Sequence, residues 1–431
     1  MTLPRILAIM GSGETAPTMV TTHRKLTSLL PQPVQAVVLD TPYGFQENAP
    51  ELASKAQEYF RTSINVEIEI AGLVRLHDTH IAADPVQIER GLRRVANADY
   101  IFAGPGSPTY ALRQWSGSPV ASIITGKLQT GGIVTFASAA ALTLGKATVP
   151  VYEVYKVGQD VERLDGLDIL SAIGINAAVI PHYDNAEGGN HDTRFCYLGQ
   201  ARLEMFETML DNDTYVLGVD EHTGLVIDID AQEATVVGNG GVTLRLRSQS
   251  FVYPTGSVLP FSLLQNPFQL LDPGSSATST KTARIASTES PVQDAPTKSA
   301  PSSLEQSLQQ ASHEFEEAMQ DRNAEGAVRA ALALEQAMVD WKADTLQGDV
   351  TDRCRATLRS MMSQLGDAAV SGVRDPRDVV SPYIEAMLAV RAIVRAEKRF
   401  DLSDIIRDAF ASLNIEVRDT PQGAEWSLPT E

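Results

Sequence analysis

Four short stretches hold the residue types that acyl-transfer chemistry requires. "IVTFASAAALTLG" (Ile133 to Gly145) reads as a buried strand, a lone serine, Ser138, and then a helix. A serine on a tight strand-to-helix turn presents its hydroxyl with a helix N-terminus behind it, and the backbones pass so closely that its neighbours must be small. Ala139, Ala140 and Ala141 meet that demand, whereas Phe136 stands where such turns carry a small residue. The other reading of Ser138 is a helix N-cap. "VIPHYDN" (Val179 to Asn185) puts His182 directly after a buried strand, either as the general base for that serine or as a satisfied core histidine. A base needs an orienting carboxylate, and "LGVDEHTGLVI" (Leu217 to Ile227) supplies Asp220 and Glu221 at the end of a short strand. Strand residues alternate between faces, so only one of the two acids can meet the histidine. "GPGSPTY" (Gly104 to Tyr110) follows the strand "YIFA". Its glycines either point backbone N–H groups into a cleft, where they stabilise an oxyanion, or make a tight turn before a helix with Pro108 near its start.

Two other chemistries find less support. "GSGET" (Gly11 to Thr15) has the look of a phosphate-binding turn, but it lacks the G-x-G-x-x-G spacing and a Walker lysine, so it reads as a cleft wall. His77, Asp78, His80, His182, Asp184, His191 and Asp192 are metal-ligand types, yet no pair has the i, i+4 helix spacing of a zinc hydrolase. No metal and no cofactor is expected.

These residues need a scaffold that brings strand ends together. "RILAIMG", "VQAVVLD", "VEIEIAGL", "DYIFAGPG", "GIVTFAS" and "AAVIPHY" read as strands buried on both faces, with helical patterns between them at Pro50 to Thr62, Asp84 to Asn97 and Pro119 to Gln129. That alternation predicts an α/β fold with a mostly parallel sheet and flanking helices, whose ligands sit at the carboxyl ends of the strands. From Tyr215 to Pro260, short alternating strands predict hairpins at the sheet's edge. Residues 272–303 are dominated by Ser, Thr, Ala and Pro without apolar periodicity, which predicts a flexible linker between a domain over 1–271 and a tail over 304–431. The tail carries four segments of helical period, then a helix and a small β-hairpin, so a mainly α-helical domain is expected there.

The 431-residue chain carries a net charge of −19, which repels nucleic acid and anionic membranes. Its two cysteines, Cys196 and Cys354, are far apart and fit a reducing cytoplasm. The opening "MTLPRILAIMGSGE" is too short and too weakly basic in its apolar run for a signal peptide, and no run spans a bilayer. A cytoplasmic protein without a membrane partner is expected, of open oligomeric state.

Taken in order, "GPGSPTY", "FASAAA", "IPHYD", "QARLEMF" and "GVDEHTG" resemble the cyanophycinase and aspartyl dipeptidase group of serine peptidases, which share a class I glutamine amidotransferase-like fold. The likeness runs from about Leu3 to Pro260. It implies Ser138 as nucleophile, His182 as base and Glu221 rather than Asp220 as the orienting acid. It further implies oxyanion donation by the N–H groups of Gly106 and Ala139, and capture of a substrate carboxylate by Arg194 or Arg202, since that family favours acidic substrates. Both glycines of the family's elbow are replaced here, by Phe136 and Ala140. The expected reaction is amide or peptide hydrolysis on a small peptide or amide; the rival is a decayed, non-catalytic module that binds a ligand or tRNA.

The tail's "AIVRAEKRFDLSDIIRDAFASLNIEVRDTPQGAEWSL" (Ala392 to Leu428) resembles the C-terminal end of cysteinyl-tRNA synthetase, through Lys398, Phe400, Asp404, Ile405, Arg407, Asp408, Asp419, Thr420, Gly423 and Trp426. The synthetase's nucleotide-binding motifs and zinc-binding cysteines are absent, so the tail cannot charge tRNA. The resemblance implies tRNA as a partner that would direct the hydrolase to RNA-linked substrates. Arg391, Arg395, Lys398 and Arg399 form a basic strip that is either an RNA contact or a solvated helix face, in a tail with 14 Lys and Arg against 23 Asp and Glu.

Overall fold

The computed structural model describes residues 2–77, 84–186, 191–271, 284–285, 303–341, 350–371, 376–420 and 423–428. The chain divides into two compact units, one formed by Met1–Leu304 with Val339–Gly348, the other by Glu305–Met338 with Asp349–Glu431. The expected linker over 272–303 lies outside the described residues except at its two described points. Arg284–Ile285 pair with Phe251 and Val252 as a short edge strand, and Ser303 precedes a helix.

The first unit is α/β. Its described strands are β1 (Arg5–Met10), β2 (Ala36–Val38), β3 (Ile68–Ile70), β4 (Tyr100–Ala103), β5 (Gly132–Ala137), β6 (Ala147–Thr148), β7 (Leu164–Asp165), β8 (Ala177–Ile180), β9 (Tyr215–Val219), β10 (Thr223–Asp228), β11 (Glu233–Gly238), β12 (Gly241–Leu246), β13 (Gln249–Pro254), β14 (Val258–Pro260) and β15 (Arg284–Ile285). The large sheet has eight strands in the order β14-β11-β10-β1-β5-β4-β2-β3. From β1 to β3 every pairing is parallel, and β10, β11 and β14 continue antiparallel on the other side of β1.

The apolar runs read as double-sided strands because each feeds two cores. Leu7 and Ile9 enter one cluster while Ile6 and Ala8 enter the other; Val37 opposes Ala36 and Val38, and Ile101 opposes Tyr100 and Phe102. The period of two that separates the faces also explains why nearly every residue of these strands is apolar. Each fully buried Leu, Ile or Phe contributes about 1.5–3 kcal/mol before entropic costs. The helices Ala49–Tyr59, Pro85–Asn97 and Val120–Thr130 stand where the helical patterns predict them.

The sheet arrangement differs from expectation in one respect. The strand of "AAVIPHY", β8, is not in the large sheet: it pairs in parallel with β9 in a second sheet of order β15-β13-β12-β9-β8. The hairpin region does not simply cap an edge either. β10 lies against the central β1, and β9, β12 and β13 build the second sheet. The Asp220–His222 turn between β9 and β10 therefore crosses from one sheet to the other.

The second unit is helical, as expected. Helices cover Leu304–Gln320, Ala324–Asp340, Val350–Ser371, Pro376–Ala396 and Phe400–Ser412, and the hairpin β16 (Glu416–Thr420) and β17 (Gly423–Ser427) follows. Ile384, Leu388, Phe410 and Ile415 make a small core against which Val417 and Trp426 pack. Arg391 corrects the expected basic strip. It is 2% exposed, its guanidinium makes two bonds to the Asp419 carboxylate at 2.6 and 3.1 Å, and its Nε donates to the Ser403 carbonyl. Arg395 donates to the same carboxylate at 3.2 Å. A buried cation must be paired, so Arg391 ties the helix Pro376–Ala396 to the hairpin and is closed to RNA. Of the strip, Lys398 and Arg399 remain exposed, Arg399 with Asp401 3.5 Å away.

The Arg391–Asp419 pair yields a stability prediction. The hydrogen bonds from Arg391 hold the Asp419 carboxyl below the usual carboxylate range. A depressed folded value means that the stabilisation is present above about pH 4 and fades as acid protonates Asp419. Asp419→Ala leaves Arg391 buried without its carboxylate and should cost on the order of 2 kcal/mol in the second unit. Hydrogen exchange on the full chain should show faster exchange at 416–427, with the difference from the unmutated chain shrinking at acid pH.

Candidate active site

Ser138 follows β5 at the N-cap position of the short helix Ala139–Leu142, but its side chain makes no capping hydrogen bond. Its backbone sits at φ +48° and ψ −118°, a conformation that L residues rarely adopt and that costs about 1–3 kcal/mol. The flanks hold it there: the Ser138 N–H donates to Met10 O across to β1, and the Leu142 N–H donates to Ser138 O. The strain turns the hydroxyl away from the sheet and onto His182. Ser138 Oγ lies 2.9 Å from His182 Nε2, and His182 Nδ1 lies 2.8 Å from Glu221 Oε1. Serine and histidine are 8% and 4% exposed, so the bond between them is shielded from water, while Glu221 is half-buried. The Ser138 side chain thus makes no helix-capping bond, and both ring nitrogens of His182 have partners, Ser138 and Glu221.

Glu221, not Asp220, meets the histidine. Asp220 Oδ2 instead accepts from Gly241 N at 2.7 Å. Burial pushes the Glu221 carboxyl up, but the His182 hydrogen bond and charge, together with Asn185, more than offset it and hold the group below its ordinary range. Asn185 Nδ2 donates to Glu221 Oε1 at 3.0 Å, and the Glu221 N–H donates to Asp184 Oδ1 at 2.7 Å. His182, Asp184 and Asn185 of "HYDN" therefore all hold Glu221. Asn185 carries no role in the sequence pattern and Asp184 stands there only among metal-ligand types; their spacing behind His182 is the signal that points to them. Burial, with Asp184 nearby, raises Asp220 to about 7, and burial also raises Asp184.

"GSGET" is a buttress rather than a ligand loop. Gly11 N donates to Thr223 O, Ser12 Oγ accepts from His222 N, and a Cβ on Gly11 would stand 2.0 Å from Asp220 O. The acid-bearing turn can approach this closely only because Gly11 has no side chain.

Gly106 and Ala139 line the same cavity as Ser138 and His182. Gly106 has φ +138°, and a Cβ there would meet Pro42 O at 2.0 Å, so only glycine fits the wall. The cavity holds about 220 Å³, less than the roughly 300 Å³ and upward of drug-sized sites. On the far side, Phe195, Cys196 and Tyr197 take three successive positive φ values. The turn is anchored by Cys196 N donating to His182 O and Phe195 N donating to Tyr183 O, and it brings Cys196 and Tyr197 into the cavity wall. Burial pushes the Cys196 thiol up, so it stays protonated and is a poor rival to the serine.

Neither Arg194 nor Arg202 lines the cavity. Arg194 forks onto Asp192 through Nε and Nη2 at 2.8 and 2.9 Å, and Arg202 lies on the helix Gly199–Thr208. Phe136 does not crowd the turn. It is fully buried in the core with its ring 5.7 Å from that of Trp115, because the reversal at Ser138 leaves residue 136 on the helix-covered face of the sheet. Among the described residues no cluster of His, Cys, Asp and Glu could hold a metal ion, and no helix is long and apolar enough to cross a membrane. Asp78 and His80 lie outside the described residues.

No family model matches the chain. Its C-terminal region is similar to cysteine–tRNA ligases: it is 34% identical over 130 residues to that of Desulfitobacterium hafniense, 29% of this chain and 27% of the ligase. It is 53% identical over 45 residues to that of Nitratidesulfovibrio vulgaris strain DP4, 10% of this chain and 9% of the ligase. The chain therefore spans about a quarter or less of the length of these relatives. Among solved structures it is similar to a peptidase from an acI-B1 Actinobacterium, with 20% identity and a TM-score of 0.47 over 60% of this chain and 98% of that one.

Proposed function

We propose that the first unit is a serine hydrolase that cleaves an amide or peptide bond. The single observation that carries this reading is the run of bonds from Ser138 Oγ through buried His182 to Glu221, on a serine held at φ +48°. Ser138 Oγ attacks the carbonyl carbon while His182 Nε2 takes the hydroxyl proton, leaving an imidazolium that ionised Glu221 stabilises. The N–H groups of Gly106 and Ala139 are the donors for the oxyanion. The C–N bond then breaks as His182 passes the proton to the leaving amine. Water attacks the acyl-serine, His182 takes its proton and returns it to Ser138, and the acid is released. The small cavity suits a small peptide or amide. Asn185 and Asp184 act as positioning residues, since they touch Glu221 and not the reacting atoms.

For the second unit, similarity to cysteine–tRNA ligases over 130 residues supports a reading in which it contacts tRNA and directs the hydrolase to RNA-linked substrates. Lys398 and Arg399, with Arg395, are the contacts left once Arg391 is set aside.

A fluorophosphonate probe tests the hydrolase directly. Ser138 should be labelled, and Ser138→Ala should abolish labelling; a chain that is not labelled at all is the decayed module instead. Glu221→Gln should slow labelling by about two to four orders of magnitude, and Asn185→Ala by about tenfold, while Asp220→Asn stays within about threefold. For the tail, a tRNA gel shift across salt concentrations should show retardation that Lys398→Ala with Arg399→Ala weakens, lowering the salt slope by about 2. Absence of retardation at low salt would remove the RNA reading.

A further inference from the structure

The walls of the cavity beside Ser138 carry no Lys, Arg, Asp or Glu among the described residues. Its polar groups are Ser138, His182, the Gln46 amide, the Cys196 thiol and the hydroxyls of Tyr43, Tyr152 and Tyr197, all of them neutral save a protonated His182; the remaining lining residues are apolar or small. Tyr43, Leu142 and Val151 are buried, Tyr152 is half-buried, and Phe45 stands exposed at the mouth. The cation nearest these rings, Lys156, sits 4.7 Å from the centroid of Tyr152 but is exposed and does not line the space. Arg194 is committed to Asp192. A carboxylate placed in such a pocket loses its hydration and meets only neutral donors, the tyrosine hydroxyls and the Gln46 amide, with no cation to balance its charge. The acid cluster of Glu221, Asp184 and Asp220 behind His182 raises its cost further. An apolar or aromatic group instead gains about 25 cal/mol for each Å² it buries.

We propose that this hydrolase selects an acyl residue with an uncharged apolar or aromatic side chain, held by Tyr43, Phe45, Leu142, Val151 and Tyr152, and rejects acidic ones. The inference rests on Ser138 being the nucleophile. Ser138, Gly106 and Ala139 share this cavity with Leu142 and Val151, so a carbonyl placed on Ser138 has those apolar side chains beside it.

The test uses aminoalkylphosphonate diphenyl esters with benzyl, isobutyl or carboxymethyl side chains on the full chain, read by intact mass, beside a plain alkyl fluorophosphonate. In each ester Ser138 Oγ bonds to phosphorus, a P–O bond to phenyl breaks, and His182 carries the serine proton to the departing phenoxide. Benzyl and isobutyl esters should label Ser138 about tenfold or more faster than the carboxymethyl ester. Tyr152→Arg should speed the carboxymethyl ester by a similar factor. Equal rates, a faster carboxymethyl ester, or no reaction with any ester while the fluorophosphonate labels, would overturn the inference and leave the hydrolase standing. No labelling by the fluorophosphonate would overturn both. If Tyr152→Arg takes up the fluorophosphonate normally and leaves the carboxymethyl rate unchanged, the pocket does not set the charge preference.

Discussion

The hydrogen bond from His182 to Glu221 joins two sheets, and the site exists only where those sheets are held in register. Ser138 ends a strand of the large sheet, His182 follows a strand of the second, and Glu221 occupies the turn by which the chain passes between them. No single element could carry all three groups at bonding distance. The chain invests correspondingly in that turn: Asp184 binds its backbone, Asn185 its carboxylate, and Ser12 the next N–H along. Ser138, His182 and Glu221 are thus set at strand ends, and the loops that hold them are tied back to strands.

Strain is concentrated on the same few residues. Ser138 and His182 both hold positive φ, as does the run from Phe195 to Tyr197 against which His182 is packed. Each of these conformations is affordable only because its surroundings are fully bonded and buried. The result is a serine hydroxyl and an imidazole with little freedom to turn away from each other.

Much of this was legible in the sequence, and the limits have physical causes. Residues that must be apolar on two faces announce central strands, and the order of Ser138, His182 and Glu221 at strand ends points to one cluster. Period-two patterning says which face a residue takes but not which strand lies alongside, so β8 read as part of the large sheet. Phe136 looked obstructive because the spacing to Ser138 assumes a continuing strand; the reversed backbone at Ser138 separates the two. Arg391 looked like part of a surface strip because helical spacing gives a face and not its cover, and the cover is a hairpin 28 residues further on. Arg194 and Arg202 were carried over by resemblance, and Asp192 takes the first while the second stays on its helix.

The place of β1 also governs how the protein is made. Its residues pair on one side with β5 and on the other with β10, Ile6 standing opposite Asp228. At about 5–20 residues per second, the ribosome delivers that second partner on the order of 10–40 s after the first strand. Throughout that interval a largely apolar central strand offers an open edge, a template for any extended chain nearby. The nascent protein is therefore most exposed to misassembly before its acid-bearing turn has been synthesised, and a chaperone that shields the first strand would act in that window.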